Sequence, residues 1–261
     1  MASAQSGDCI LETRGMTKEF RGFIAVNDVS LKVRRGDIHA LIGPNGAGKT
    51  TCFNLLTKFL TPTRGTILFN GDDITNLKPA QIARRGVIRS FQISAVFPHL
   101  TVLENVRIGL QRNTGWSFNF WQSESSLKVL NAKAMELLEQ VDLQEFAKLQ
   151  TVSLPYGRKR ALEIATTLAM EPQLMLLDEP TQGMGHEDVD RVTRLIKKVS
   201  VGRTVLMVEH NMAVISSIAD RITVLARGAV LCEGNYAEVS KDPGVLEVYM
   251  GTADVELEGA H

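Results

Sequence analysis

The stretch Gly43-Pro44-Asn45-Gly46-Ala47-Gly48-Lys49-Thr50, with Thr51 behind it, constrains this chain more than any other. It has the form glycine, four residues, then Gly-Lys-Thr. The apolar run Ile38–Ile42, of buried-strand length, leads into it, and a helical pattern through Leu56 follows. Glycines lack Cβ, so the backbone can curl and aim several N–H groups at one point. The helix behind the loop adds its positive end. Lys49 carries a full charge to the β- and γ-phosphates, and the Thr50 hydroxyl is placed to ligate Mg²⁺. The segment from Gly43 to Thr51 is therefore expected to hold a nucleoside triphosphate. It does not identify the reaction. Cys52 sits two residues after Thr50 and admits two readings. It is a small buried side chain, or a thiol acidified by the helix end, whose alkylation would block nucleotide.

The rest of the chain says what surrounds that loop. Its 261 residues suffice for a real core. With 44% apolar and 22% charged residues, disorder and collagen are excluded. Twenty-nine basic residues balance twenty-nine acidic ones, which argues against non-specific nucleic-acid binding. Three cysteines, Cys9, Cys52 and Cys232, do not make a disulfide framework and fit a reducing compartment. No signal peptide and no spanning apolar run is expected, so the chain reads as soluble, though able to sit against a membrane protein.

Apolar runs place short strands near Ile10–Thr13, Val29–Val33, Thr66–Phe69, Leu174–Leu177 and Thr204–Val208, with turns at Arg35-Gly36 and Asn70-Gly71. Ile222–Leu225 and Ala229–Cys232 flank Arg227-Gly228 as a hairpin. From about Lys78 to Met170 helical periodicity dominates, with Leu127, Leu130, Ala134, Leu137, Leu138 and Val141 painting one face. Asn113–Ser125, with Trp116 and Trp121, reads as a loop or insertion, and Val189–Val199 as a helix. The fold expected is α/β: a mainly parallel sheet interrupted by a helical insertion. Ligands in such sheets bind at the carboxyl ends of the strands.

Leu174-Met175-Leu176-Leu177 runs into Asp178-Glu179. Unpaired charge is costly in a core, so this strand must end at a cleft or a cation. Asp178 is expected to face Mg²⁺, directly or through water, and Glu179 to point at an attacking water as general base. That pair favours hydrolysis over a kinase reaction, which would need a second substrate site.

Taken in order, these motifs resemble the ATP-binding subunit of an ABC transporter over about residues 10 to 251. The resemblance implies a P-loop NTPase with an antiparallel β subdomain and a helical subdomain about 93–170, in one domain over 8–251, before a flexible tail at 252–261. It implies that Phe20, with Phe23 as competitor, stacks on adenine. It implies that Gln92, between a strand and the helical insertion, reaches Mg²⁺ and the attacking water, and that the loop after it meets the membrane subunit. His210, after Glu209, would bind the γ-phosphate. Leu154-Pro155-Tyr156-Gly157-Arg158 stands where the family writes Leu-Ser-Gly-Gly-Gln, so Tyr156 and Gly157 would cap ATP held by a second copy. Pro155 removes the serine hydroxyl, and Arg158, Lys159 and Arg160 would compensate with charge or form a solvated face. Gly185 replaces the usual aspartate of a neighbouring motif.

The resemblance narrows to the branched-chain amino acid uptake branch, with its urea and amide relatives, through Phe97–Val106, Leu154–Glu163 and Asp242–Gly251. It implies ATP and Mg²⁺ as cofactors and ATP-driven dimer closure. The implied partners are transmembrane permeases, a second ATPase subunit, identical or not, and, indirectly, a solute-binding protein. Nucleic acid is not expected. The implied place is cytoplasmic, peripheral on the inner face of the membrane. A non-transport ABC ATPase, a P-loop kinase and an idle nucleotide-binding adaptor are the alternatives.

Overall fold

The computed structural model describes residues 8–90, 96–111 and 124–249. Gln92, the segment carrying Trp116 and Trp121, and the tail beyond Tyr249 lie outside them.

Along the chain, β1 (Cys9–Phe20), β2 (Phe23–Val29) and β3 (Lys32–Arg34) precede β4 (Ile38–Ile42) and α1 (Lys49–Leu56). β5 (Arg64–Phe69), β6 (Asp72–Asp73), α2 (Pro79–Arg84) and β7 (Val87–Ser90) follow. Three helices come next: α3 (Val102–Gln111), α4 (Glu124–Gln140) and α5 (Tyr156–Leu168). Strand–helix alternation then resumes with β8 (Leu174–Asp178), α6 (His186–Val199), β9 (Thr204–Val208) and α7 (Met212–Ile218). β10 (Arg221–Ala226), β11 (Ala229–Gly234) and α8 (Tyr236–Val239) come next, and residues 243–249 are helical.

Six strands form the central sheet in the order β11-β10-β4-β9-β8-β7. Only β11 runs antiparallel to its neighbour. The parallel strands are buried on both faces, so they read as unbroken apolar runs. Their alternate residues feed two separate cores. Ala40, Ile42, Met175, Leu177, Val205 and Met207 join the cluster with α3 to α7. Leu41, Leu174, Leu176, Leu206 and Val208 join the other, with α1 and the antiparallel strands. In that second sheet β1 pairs with β2, β3 and β5, and β5 with β6.

Several expectations need correction. The expected strand Val29–Val33 is two strands, broken at Ser30 and Leu31. Val29 ends the pairing with Met16, and Val33 pairs with Leu11, so the chain moves from one half of β1 to the other. β1 itself runs to Phe20, because register shifts hide the period-2 alternation. β7 interrupts the stretch expected to be helical, and four residues are too few for a periodic signal. α6 starts three residues earlier than Val189, behind Gly185. α4 carries the expected buried stripe at Leu130, Ala134, Leu137 and Leu138.

Candidate functional site

The loop between β4 and α1 is held by close backbone approach. At Gly43, φ is 149° and a Cβ would lie 2.1 Å from the Leu225 carbonyl oxygen. At Gly48, φ is 96° and a Cβ would lie 2.5 Å from that of Ala25. The loop is thus wedged between β10 and β2, and no residue with a side chain fits either position. Gly48 caps α1 without a side-chain hydrogen bond, and no acid sits in its first turn. The positive helix end is left to an anion. Ala47 is buried, while Asn45, Gly46 and Thr50 are exposed.

Lys49 folds over this loop. Its Nζ donates to the carbonyls of Gly43 (2.7 Å) and Pro44 (2.9 Å). Burial pushes its pKa down and the Glu179 carboxylate opposes the shift, so the two charges feel each other. The Tyr249 phenol also meets the backbone of Gly43, and burial raises its pKa. Cys52 is fully buried, and burial alone pushes its thiol up to about 12. The acidified, alkylatable thiol is therefore overturned: desolvation of the thiolate outweighs the helix end.

Phe20 and Phe23 face each other across the β1–β2 hairpin. Both are exposed, at 41% and 68%, so neither is a core residue. Lys18 Nζ lies 5.1 Å from the Phe20 ring centre. The hairpin borders the phosphate loop through Ala25.

At the end of β8 the acids are held by side chains. Asp178 is buried, and Arg89 of β7 donates Nη2–H to its Oδ2. Arg89 Nη1 donates to Asn54 Oδ1 of α1 at 2.6 Å. Arg160 of α5 donates to the Asp178 carbonyl at 3.1 Å and to Glu163 Oε2 at 2.6 Å. Burial pushes the Glu163 carboxyl up, against the pull of Arg160. Arg160 is thus a buried structural residue, and the expected solvated or phosphate-compensating role of the basic run fails for it. Arg158 lies over the Phe146 ring at 3.9 Å.

Glu179 leaves the strand in the left-handed region, φ 44°, a sparsely populated conformation for a side-chain-bearing residue. Its N–H donates to Val208 O at 2.9 Å, and its carbonyl accepts from the Gln182 N–H. Nearby, Glu209 is fully buried and Thr181 Oγ1 donates to its Oε1. Burial raises the Glu209 pKa, with Thr181 and His210 acting the other way. His210 itself is exposed at the end of β9.

The segment around Tyr156 opens α5 behind Pro155, φ −56°, a proline-compatible value. The Tyr156 hydroxyl donates to Gln182 O at 3.3 Å and its ring is exposed. Gly157 is buried, and a Cβ there would lie 2.5 Å from Asp188 Oδ1, so α6 packs directly on it.

The structure thus gathers Lys49, Glu179 and Asp178 at the carboxyl end of the sheet, where β9 also leads to His210. Arg89, Asn54, Arg160, Thr181 and Glu209 were not expected there. For Arg89 a signal existed: a charge inside the apolar run Val87–Ser90. Among the described residues no three His, Cys, Asp or Glu side chains converge on a metal. Thr50 and Asp178 are nevertheless hard oxygen donors of the kind Mg²⁺ takes in ones and twos, with phosphates supplying the rest. They fit a cation that arrives with a triphosphate. Among the described residues no helix is long and apolar enough to cross a membrane.

A phosphate loop on a parallel strand, a strand two places along the same sheet ending in two carboxylates, and a helix-rich insertion define an ATP-binding cassette. Residues 26–182 match the ABC transporter family. The chain is 39% identical over 252 residues to BraF, a high-affinity branched-chain amino acid transport ATP-binding protein of Pseudomonas aeruginosa, covering 94% of this chain and 98% of that protein. It is 37% identical over 251 residues to LivG of Escherichia coli, a protein of the same description, with the same coverage. Among solved structures, MJ1267, an ATP-binding cassette of an ABC transporter in its ADP conformation, superposes with a TM-score of 0.82 at 30% identity, covering 93% of this chain and 99% of that one. A nucleotide-free cassette gives 0.79 at 30% identity, covering 92% and 98%. This chain belongs to the ABC transporter family, and it is an ATP-hydrolysing subunit of such a transporter.

Proposed function

We propose that this subunit drives import of branched-chain amino acids, working as a dimer on the inner face of the cell membrane beneath transmembrane permease subunits. The observation that carries the ATPase chemistry is the neighbourhood of Lys49 and Glu179, a phosphate-binding cation and a carboxylate base beyond the carboxyl ends of β4 and β8. The branched-chain amino acid transport function of BraF and LivG supports the solute.

In this reading Phe20 stacks on adenine. The backbone of Gly43–Gly48 wraps the β-phosphate, and Thr51 joins it at the helix start. Lys49 swings from the Gly43 and Pro44 carbonyls to the triphosphate. Thr50 and Asp178, with Gln92, would hold Mg²⁺, which when bound neutralises charge on the phosphates. Glu179 takes the proton of the attacking water, and His210 steadies the γ-phosphate. Tyr156 and Gly157 of a second copy close over the nucleotide, so ATP is part of the dimer interface. A similar cassette, MJ0796, that is dimeric when bound to ADP and phosphate supports the dimer, at 26% identity and a TM-score of 0.72. Hydrolysis weakens the clamp and the copies part.

A cavity of about 260 Å³ between α2, β7 and the segment that follows α1, lined by Phe59, Ile82, Val87 and Ile88, adjoins the strand that leads to Gln92. Phe59 is exposed there. We assign it to an apolar cytoplasmic helix of the permease, because it lies beside the strand leading to the loop expected to meet that subunit. Reconstitution with its permeases and binding protein tests the whole reading. ATP hydrolysis should rise when leucine, isoleucine or valine is supplied. Stimulation by urea or amides instead would reject the solute.

A further inference from the structure

Arg89 reaches two elements at once. One arm of its guanidinium holds Asp178 Oδ2 and the other holds Asn54 Oδ1 at 2.6 Å. The Phe53 ring lies 5.8 Å from its central carbon. The two charged side chains are 11% and 7% exposed. A carboxylate so buried is costly without a positive partner. In the protein without nucleotide, Arg89 supplies that partner. Yet Asp178 is also the acid assigned above to the divalent cation. A guanidinium and a dication converging on one buried carboxylate repel each other strongly, because buried charges are weakly screened.

We propose that Arg89 is a positioning residue that competes with the divalent cation for Asp178 and so sets how much Mg²⁺ the site requires. The proposal rests on the Mg²⁺–ATP reading of the site. Asn54 makes the exchange feasible. When the cation takes Asp178, the guanidinium keeps the carboxamide oxygen of Asn54 and the face of Phe53, so it is not stranded in the core. The sign of the consequence distinguishes this from mere structural support. Ligands that compete for one group weaken each other's apparent affinity. Removing Arg89 must therefore strengthen cation binding, whereas removing a structural prop would weaken it.

The experiment uses the full chain carrying Glu179→Gln, so that nucleotide is not consumed. Binding of radiolabelled ATP is measured in EDTA and across a Mg²⁺ titration. Arg89→Met is expected to leave the EDTA affinity within about twofold and to lower the half-saturating Mg²⁺ at least about threefold. Arg89→Lys keeps the charge and should return the requirement towards that of the Arg89 protein. Asn54→Ala removes the partner that would hold the guanidinium once it leaves Asp178, makes that exchange costlier and should raise the requirement. This variant decides the matter if Arg89→Met fails to fold. An unchanged or raised Mg²⁺ requirement in Arg89→Met, or an unchanged or lowered one in Asn54→Ala, overturns the competition alone. A parent protein that binds no ATP in either condition overturns the nucleotide reading and the competition with it.

Discussion

The Gly43–Gly48 loop is made almost wholly of backbone, while the acids at the end of β8 are held by side chains drawn from β7, α1 and α5. The loop needs little from afar: two glycines where carbonyls crowd in, and a lysine resting on its own loop. The β8 end needs Arg89, Arg160, Glu163 and Asn54, each buried or half-buried. The contrast has an energetic meaning. Backbone N–H groups supply a binding site that a single side-chain deletion hardly unfolds. Buried ion pairs make the neighbouring carboxylates fragile, because losing one partner strands the other.

The largest expected effect breaks that second plan. Arg160→Met leaves Glu163 buried without its cation, and should cost about 3–5 kcal/mol of stability in urea unfolding. Adding Glu163→Leu to it should recover most of the loss, since an apolar pair of similar size tolerates burial. Recovery of none would mean that Arg160 acts chiefly through the Asp178 carbonyl.

Lys49→Ala should do the reverse. ATP affinity should fall on the order of 100-fold, about 2.7 kcal/mol, while the urea midpoint stays put. Isothermal titration and urea unfolding on one preparation check both halves. A loss of stability comparable to that of Arg160→Met would erase the contrast between the two regions.

The strand beneath the loop carries a buried network of its own. His39 Nε2 lies 2.8 Å from Thr223 Oγ1, which donates to Glu233 at 3.0 Å. Nε2 therefore carries the proton, and the buried Nδ1 has no partner among the described residues. Burial foremost, with Arg221, pushes the His39 pKa down to about 4, against the pull of Glu233. The unfolded chain binds this proton near pH 6.5, so between 6.5 and 4 the unfolded state holds more protons. Stability is full above that window and is lost as the pH falls through it, by about 2–3 kcal/mol at pH 4.5. His39→Gln, which keeps a donor for Thr223, should flatten this part of the pH profile. A profile unchanged by the substitution would remove His39 from it.

Cys52 marks the smallest effect. Its thiol is buried behind the loop, so Cys52→Ala should cost about 1–2 kcal/mol through the lost packing and leave ATP affinity within about twofold. Alkylation of the native protein at pH 8 should spare it. Rapid labelling that ATP prevents would return it to the nucleotide site.

The same contrast explains what the sequence disclosed. Ile38–Ile42, Leu174–Leu177 and Thr204–Val208 stand out because strands buried on both faces are unbroken apolar runs. The phosphate loop and Glu179 were legible because their chemistry is local. β2 was not, since its exposed hairpin buries only Val26 and Val29. Nor was the role of Arg89 or Arg160: their partners at residue 178 lie 89 and 18 residues away, and only the folded sheet brings them together. The basic run Arg158–Arg160 reads as one surface feature, yet its members part ways once the helix turns, one onto Phe146 and one into the core.

The most direct test weighs the Glu179→Gln protein in Mg²⁺ and ATP by sedimentation while phosphate release is followed in parallel. A stable species of twice the monomer mass is expected, with phosphate release reduced by on the order of 10²-fold or more. A protein that stays monomeric and releases phosphate as fast as the unsubstituted chain would contradict both the base and the nucleotide-closed dimer.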